Sequence, residues 1–339
     1  MFLSVGTDLM DVRALEPTES GLAEIDAAGH RVYFERYGAA DETLLVAHGG
    51  PGGDSQMMKV FGSLSGPRLQ VVMWDQLGGG KSDRPDDDTL WNAERFVEEL
   101  DSLRTRLDLG RVHLLGQSWG GMLALSYALA HPEGIRSLIL SGTPVSVPLL
   151  LQSITERRVE LGPVEHMELL RHEAAGQTAA ASYLDLVIRM HARMTRRSTP
   201  YNGTDSEREF REIVLPSLDE MGRVYQVMWG EHSFRPTGNL MTWDVSERLS
   251  EIKVPVLVLC GYHDAVTPAM QRIIAEGVRD SRFVIFGQSS HLTFMEREAD
   301  VYFDVIAGFL NRLVGEELGT GPGADLSGRT ADRRGPPLH

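Results

Sequence analysis

The sequence predicts an α/β fold, with a mostly parallel central sheet flanked by helices and interrupted by a helical cap insertion. Three observations lead there. The short continuous apolar run Val254 to Cys260 has the length and two-sided hydrophobicity of a strand buried in a parallel sheet, and Thr43 to Ala47, Leu69 to Trp74 and Arg282 to Phe286 read as further short strand runs. Helix-forming segments alternate with those runs, as a sheet wrapped by helices requires. The alternation pauses after Ser141-Gly142-Thr143-Pro144 and resumes near Trp243-Asp244-Val245, with mostly helical sequence between, which marks an insertion.

Each element follows in order. Met1 to Ser20 is a lead-in without clear pattern, and Gly21 to Tyr37 reads as an antiparallel strand pair turning near Ala28-Gly29. The first part of the core spans residues 1–144 and the cap 145–240. The second part of the core spans 241–315, and 316–339 form a tail. Glu and Arg are spaced along the cap segment Ile154 to Leu161, and Ser198 to Arg208 is a polar loop. From Glu316 the chain turns rich in Gly, Pro, Asp and Arg without periodicity, which predicts disorder. No internal repeat is present.

The most informative stretch is Val112-His113-Leu114-Leu115-Gly116-Gln117-Ser118-Trp119-Gly120-Gly121, an apolar run ending in GxSxG and continuing as a helix-forming segment, Met122 to Ala130. The five letters alone describe any Gly/Ser turn. A strand before and a helix after turn them into a nucleophile elbow, where small neighbours let strand and helix approach closely and Ser118 is presented at the tip.

A serine hydroxyl is a poor nucleophile unless a base takes its proton and a third group orients that base. With such an elbow the partners follow in the order serine, acid, histidine. The run ending at Cys260 leads into Gly261-Tyr262-His263-Asp264, which places Asp264 at a strand's carboxyl end as the acid. The short strand Arg282 to Phe286 leads into Gly287-Gln288-Ser289-Ser290-His291, which makes His291 the base. Of the chain's 11 histidines, the others considered fit less well. His113 alternates with apolar residues inside a strand, and His131 ends the elbow helix beside Pro132. His263 adjoins the acid but points to the opposite side of an extended backbone. His172-Glu173 lacks the HExxH spacing of a zinc peptidase.

The strand Thr43 to Ala47 runs into His48-Gly49-Gly50-Pro51-Gly52-Gly53, a loop after an early strand where an oxyanion hole is built from backbone amides. The expected donors are the amides of Gly50 and Trp119. Removing one such donor typically costs about 3 kcal/mol of transition-state stabilisation. Gly80-Lys81-Ser82 ends like a phosphate loop, but that motif needs a glycine five residues before Gly80 and Asp75 stands there.

Composition narrows the partners. Of 339 residues 42% are hydrophobic and 24% charged, ordinary for a globular protein with a large core. The net charge of -15 argues against nucleic acid and anionic membrane surfaces. No apolar stretch reaches the length of a membrane span, and the start of the chain carries Asp8 and Asp11 rather than a basic, apolar leader, so a cytoplasmic protein is expected. The one cysteine, Cys260, lies inside a predicted core strand, where packing is its role.

HGGPGG, WDQLGGGKSDRP, GQSWGG, GYHDAVTP and SSHLTFMERE, in this order and spacing, resemble the proline iminopeptidase family of serine peptidases, a branch of the α/β-hydrolases that includes tricorn-interacting aminopeptidases and amino-acid amide hydrolases. The resemblance runs from about Gly21 to Leu313. It implies the α/β-hydrolase fold with a helical cap. It also implies hydrolysis of an amide bond next to a small N-terminal residue, often proline, through an acyl-enzyme, with a small-molecule or short peptide substrate and no cofactor or metal. The family reads the free amine with two glutamates, one in a cap motif like GPNEF and one directly after the triad aspartate. Here Gly230-Glu231-His232-Ser233-Phe234 occupies the first place and Ala265 the second. A buried ammonium without a carboxylate is strongly disfavoured. Glu231, Glu220 or Asp219 could take over, each competing with a role as a solvated helix charge. The alternative is an uncharged hydrophobic amide, ester or lactone. The family's arginine in DQRG is Leu77 here, which makes that loop less polar. Trp229 and Phe234 are pocket candidates beside Leu77 and Ala265, whereas Tyr225 and Met228 fit the cap's own small core equally well. An epoxide hydrolase, which needs an aspartate at the elbow, is excluded by Ser118. Oligomeric state stays open.

Overall fold

The computed structural model describes residues 15–197, 203–209, 211–212, 221–230 and 236–314. Eight strands form one sheet: β1 (Glu19–Glu24), β2 (Arg31–Tyr37), β3 (Glu42–Ala47), β4 (Leu69–Trp74), β5 (Val112–Gln117), β6 (Ile135–Ser141), β7 (Val256–Gly261) and β8 (Ser281–Phe286). Their order is β1-β2-β4-β3-β5-β6-β7-β8. Only β2 runs against its neighbours, pairing antiparallel with β1 and β4. The hairpin turns at Gly29, whose φ of 84° suits a residue without Cβ.

Strands β4, β5 and β7 are buried along their whole length; β7 accordingly reads as an unbroken apolar run, while β4 buries Gln70 and β5 buries His113 and Gln117. Their residues still sort by parity. Leu45, Val72, Trp74, Leu114 and Val258 join one core layer. Leu44, Val71, Met73, Leu115 and Leu257 join the other. The first layer is covered by α1 (Ala93–Arg106) and α2 (Trp119–Ala130), and by a further core helix, Pro268–Gly277. The second is closed by a 3-10 helix, Gln56–Leu64, and by the last helix, Ala299–Val314. Phe61 seals that contact, its ring centroid 5.3 Å from Phe294 and 5.2 Å from Phe303.

Between β6 and β7 lie α3 (Val147–Arg158), α4 (Pro163–Ala174), α5 (Ala181–Met194), α6 (Gly203–Glu209) and α7 (Gly222–Met228). The core helix Pro268–Gly277 is accordingly α8, and Ala299–Val314 is α9. The insertion leaves and rejoins the core at one point. Val147 N donates to Trp243 O at 2.9 Å and Val245 N to Val145 O at 3.1 Å. There Ser146 caps α3 with Pro148 in its first turn. Among the described residues, no helix is long and apolar enough to cross a membrane. Cys260 is buried in β7 and unpaired by disulfide. The expected tail, 316–339, lies outside the described residues.

Candidate active site

The elbow forms because backbone geometry leaves room for nothing larger. Ser118 holds φ 56° and ψ -119°, and Asp108 is the one other non-glycine residue with positive φ among those described. A side chain rarely adopts that region unless its surroundings over-determine it, which makes it a place where strain is stored for function. Here the strand ladder fixes one side, with Ser118 N donating to Ser141 O at 2.9 Å. Helix α2 fixes the other, with Gly121 N donating to Ser118 O at 2.9 Å. A Cβ on Gly116 would collide with Gly120 O, and one on Gly120 with Ala47 O.

Asp264 is fully buried in the turn after β7, and Val266 N donates to its Oδ1 at 2.8 Å. His291 Nδ1 lies 3.0 Å from Asp264 Oδ1 and 2.9 Å from Oδ2, so the imidazole donates to the carboxylate there and leaves Nε2 for other work. Burial alone would lower the His291 pKa, but the Asp264 charge and hydrogen bond, with Glu296 beyond, outweigh it and hold the imidazole above its ordinary value. Two carboxylates shape the loop that carries it. Glu296 accepts from Ser290 N at 2.6 Å and Glu298 from Ser289 Oγ at 2.7 Å. His263 is not part of the pair, its ring packing edge-on against the exposed Tyr262 at 5.1 Å. His113 bonds Ser137 Oγ inside the sheet at 2.8 Å.

Gly50 and Trp119 face the same cavity as Ser118 and His291. The Trp119 amide is the first in α2, where N–H groups have no acceptor within the helix. Side chains brace both donors. His48 Nδ1 donates to Gly49 O at 3.0 Å while its Nε2 accepts from Gln76 N at 3.1 Å, and Gln76 Oε1 accepts from Trp119 Nε1 at 2.8 Å. Gly50 has φ 55°, and a Cβ there would come within 2.5 Å of Met221 Cε, so a cap residue rests directly on the loop.

The cavity encloses about 1260 Å³ with its open mouth included. Its wall is dominated by apolar groups from core and cap, among them Met57, Met122, Leu150, Ile154 and Phe294. Trp229, Ala265 and Tyr225 line it, whereas Met228 is fully buried and absent from the wall. Leu77 departs from expectation. It is fully buried and belongs to the core beside Trp91, because its backbone N–H turns toward Glu99 and the next residue, Gly78 (φ 84°), reverses the chain. Glu231, Ser233 and Phe234, together with Asp219 and Glu220, lie outside the described residues.

Sequence reasoning missed several groups around the site. His191 of α5 lines the cavity, bonded to Thr195 Oγ1 at 2.9 Å, and burial together with the His291 charge pushes its pKa down to about 3, so it is neutral. Arg157 of α3 reaches the acid loop, and Asp54 borders the cavity just beyond the glycine loop. None of these carries a periodic or motif signal. Among the described residues no group of three or more His, Cys, Asp or Glu could hold a metal ion.

A strained serine at a helix N-terminus, facing one apolar cavity with an imidazole tied to a buried carboxylate and with two backbone donors, is equipped for acyl transfer. Residues 42–298 match the family model for the alpha/beta hydrolase fold, and the chain is an α/β-hydrolase. It is 35% identical over 292 residues to the proline iminopeptidase of Heyndrickxia coagulans, covering 85% of this chain and 98% of the relative. The proline iminopeptidase of Saccharolobus solfataricus is 32% identical, with 84% and 90% covered. Within its fold the chain therefore belongs to the proline iminopeptidase family. Among solved structures it is similar to VinJ, with TM-score 0.78, 30% identity, and 88% of this chain and all of VinJ covered. It is also similar to the proline iminopeptidase of Mycobacterium smegmatis, with TM-score 0.77, 28% identity, and 87% and 99% covered.

Proposed function

We propose that this chain is a serine hydrolase of the aminopeptidase or amino-acid amidase type, cleaving an amide bond next to a small N-terminal residue through an acyl-enzyme. The observation that carries the reading is the His291–Asp264 pair facing the same cavity as the strained Ser118, in a chain that matches proline iminopeptidases over most of its length. His291 Nε2 takes the proton of Ser118 as its Oγ attacks the carbonyl carbon, and the amides of Gly50 and Trp119 hold the oxyanion. The imidazolium, stabilised by Asp264, gives that proton to the leaving nitrogen as the C–N bond breaks. A water then attacks the Ser118 ester, His291 takes its proton, and the acid departs as Ser118 recovers its own.

One observation favours a second reading. The cavity wall is largely apolar, and Ala265 stands where the family resemblance puts a glutamate, which suits an uncharged hydrophobic amide, ester or lactone. The test compares kcat/KM for L-prolyl p-nitroanilide and N-acetyl-L-prolyl p-nitroanilide, with Ser118→Ala as the blank and a p-nitrophenyl ester as a reactive control. Preference for the free amine supports the aminopeptidase, and activity on the ester or blocked amide alone supports the second reading.

A further inference from the structure

The geometry points to Asp54 as the carboxylate that receives the free amine of the substrate, in place of the glutamate that Ala265 has displaced. The assignment rests on the aminopeptidase reading, since only a substrate with an ammonium group needs such a partner.

Asp54 is the one carboxylate lining the catalytic cavity among the described residues, and no Lys or Arg lines it with them. The histidines on the wall do not supply a negative charge either. Among the described residues of the wall, Asp54 is the one that offers an ammonium losing its water a compensating negative charge. The residue follows the glycine loop directly. Gly53 N donates to Gly50 O at 2.9 Å, a turn that folds the loop back and sets Asp54 close behind the expected oxyanion donor.

Its bonding state separates it from the carboxylates nearby. Asp54 also borders a smaller polar hollow that it shares with Glu35, Asp75 and Lys81. Asp75 is saturated, its Oδ1 accepting from Ser55 N at 2.8 Å and Ser55 Oγ at 2.7 Å, its Oδ2 from Lys81 N at 2.8 Å. Glu35 is saturated as well, taken by Tyr37 OH at 2.7 Å, Tyr33 OH at 3.1 Å and Lys59 Nζ at 3.0 Å. Asp54 Oδ1 accepts only from Gln56 N at 2.9 Å, a local bond that orients the group, and Oδ2 has no protein partner among the described residues. The polar hollow lies on one side of the carboxylate, and the largely apolar wall on the other offers an arriving cation few rival partners among the described residues.

The test measures kcat/KM for L-prolyl p-nitroanilide and its N-acetyl counterpart in the wild type, Asp54→Asn and Asp54→Glu. The expected result is that Asp54→Asn cuts the preference for the free amine by roughly 10- to 100-fold, the worth of a charge-assisted hydrogen bond, through KM more than kcat, and that Asp54→Glu restores part of it. A preference that stays within about twofold of wild type in Asp54→Asn overturns the assignment while leaving the aminopeptidase reading intact. A wild type with no preference for the free amine overturns that reading and this assignment together.

Discussion

Arg157, on the first cap helix, donates through Nε to the carbonyl oxygen of Asp264 at 3.2 Å, and its Nη2 reaches Tyr262 O at 2.6 Å. The cap grips the histidine loop too, since His291 N donates to Met194 O at 3.1 Å and Leu292 N to Thr195 O at 3.0 Å at the end of α5. Asp264 and His291 thus stand on loops whose backbones are fastened to the cap. The insertion supports the placement of this pair as well as contributing to the cavity wall.

Arg157→Ala should lower kcat by about 10- to 100-fold, the scale on which small misplacements of reacting groups act. KM should change less. Steady-state kinetics with a thermal melt check this, and a fall in melting temperature with kcat preserved would make Arg157 purely structural.

His291 must be neutral to act as base, and its pKa is held above the ordinary histidine value chiefly by Asp264 working against burial. The acid limb of the kcat/KM profile should therefore fall above about pH 6.5. Asp264→Asn should cost roughly 10⁴-fold in kcat, because the imidazole loses the partner that fixes its tautomer and stabilises its cation. A pH profile of both proteins tests this.

Gly142 has φ 52°, and a Cβ there would lie 2.9 Å from both Asp264 Oδ2 and His291 Nδ1. Gly142→Ala should therefore impair catalysis more than stability. Strain at a left-handed position costs roughly 1 kcal/mol, whereas the methyl presses directly on the acid–base pair. Comparing kcat with the denaturation midpoint separates the two effects.

Glu99 is fully buried, accepting from Trp74 Nε1 at 2.8 Å and from Leu77 N at 3.2 Å, and burial raises its pKa from 4.5 to about 7. A carboxyl with a raised pKa binds more protons folded than unfolded. Its contribution is complete below pH 4.5 and is lost as pH rises to about 7, an effect on the order of 3 kcal/mol. Glu99→Gln keeps an acceptor for both donors and should flatten the fall in stability between about pH 5 and 7 relative to wild type. Urea denaturation at several pH values measures it.

The elbow, the acid turn and the histidine loop were legible because each depends on local chemistry, a strand followed by small residues or a turn. Strand ends shifted by only one or two residues, as at β7, which starts after Pro255, a residue without an amide proton for the ladder. Leu77 was misplaced because position within a motif does not fix side-chain direction, and the turn at Gly78 sends it into the core. Arg157 and Tyr262 are 105 residues apart, and a contact over that span leaves no periodic trace in either segment. Asp54 lies just beyond the glycine loop and carries no motif signal, and only the cavity on one side of it sets it apart.

In the proposed reaction Ser118 carries an acyl group taken from the N-terminal side of an amide. The direct measurement is rapid-quench peptide mass spectrometry of wild type and Ser118→Ala after mixing with L-prolyl p-nitroanilide. Wild type should release p-nitroaniline and show a transient prolyl mass on the peptide containing Ser118, with neither in Ser118→Ala. Release of p-nitroaniline by Ser118→Ala at the wild-type rate, or a prolyl adduct on any other residue, would contradict it.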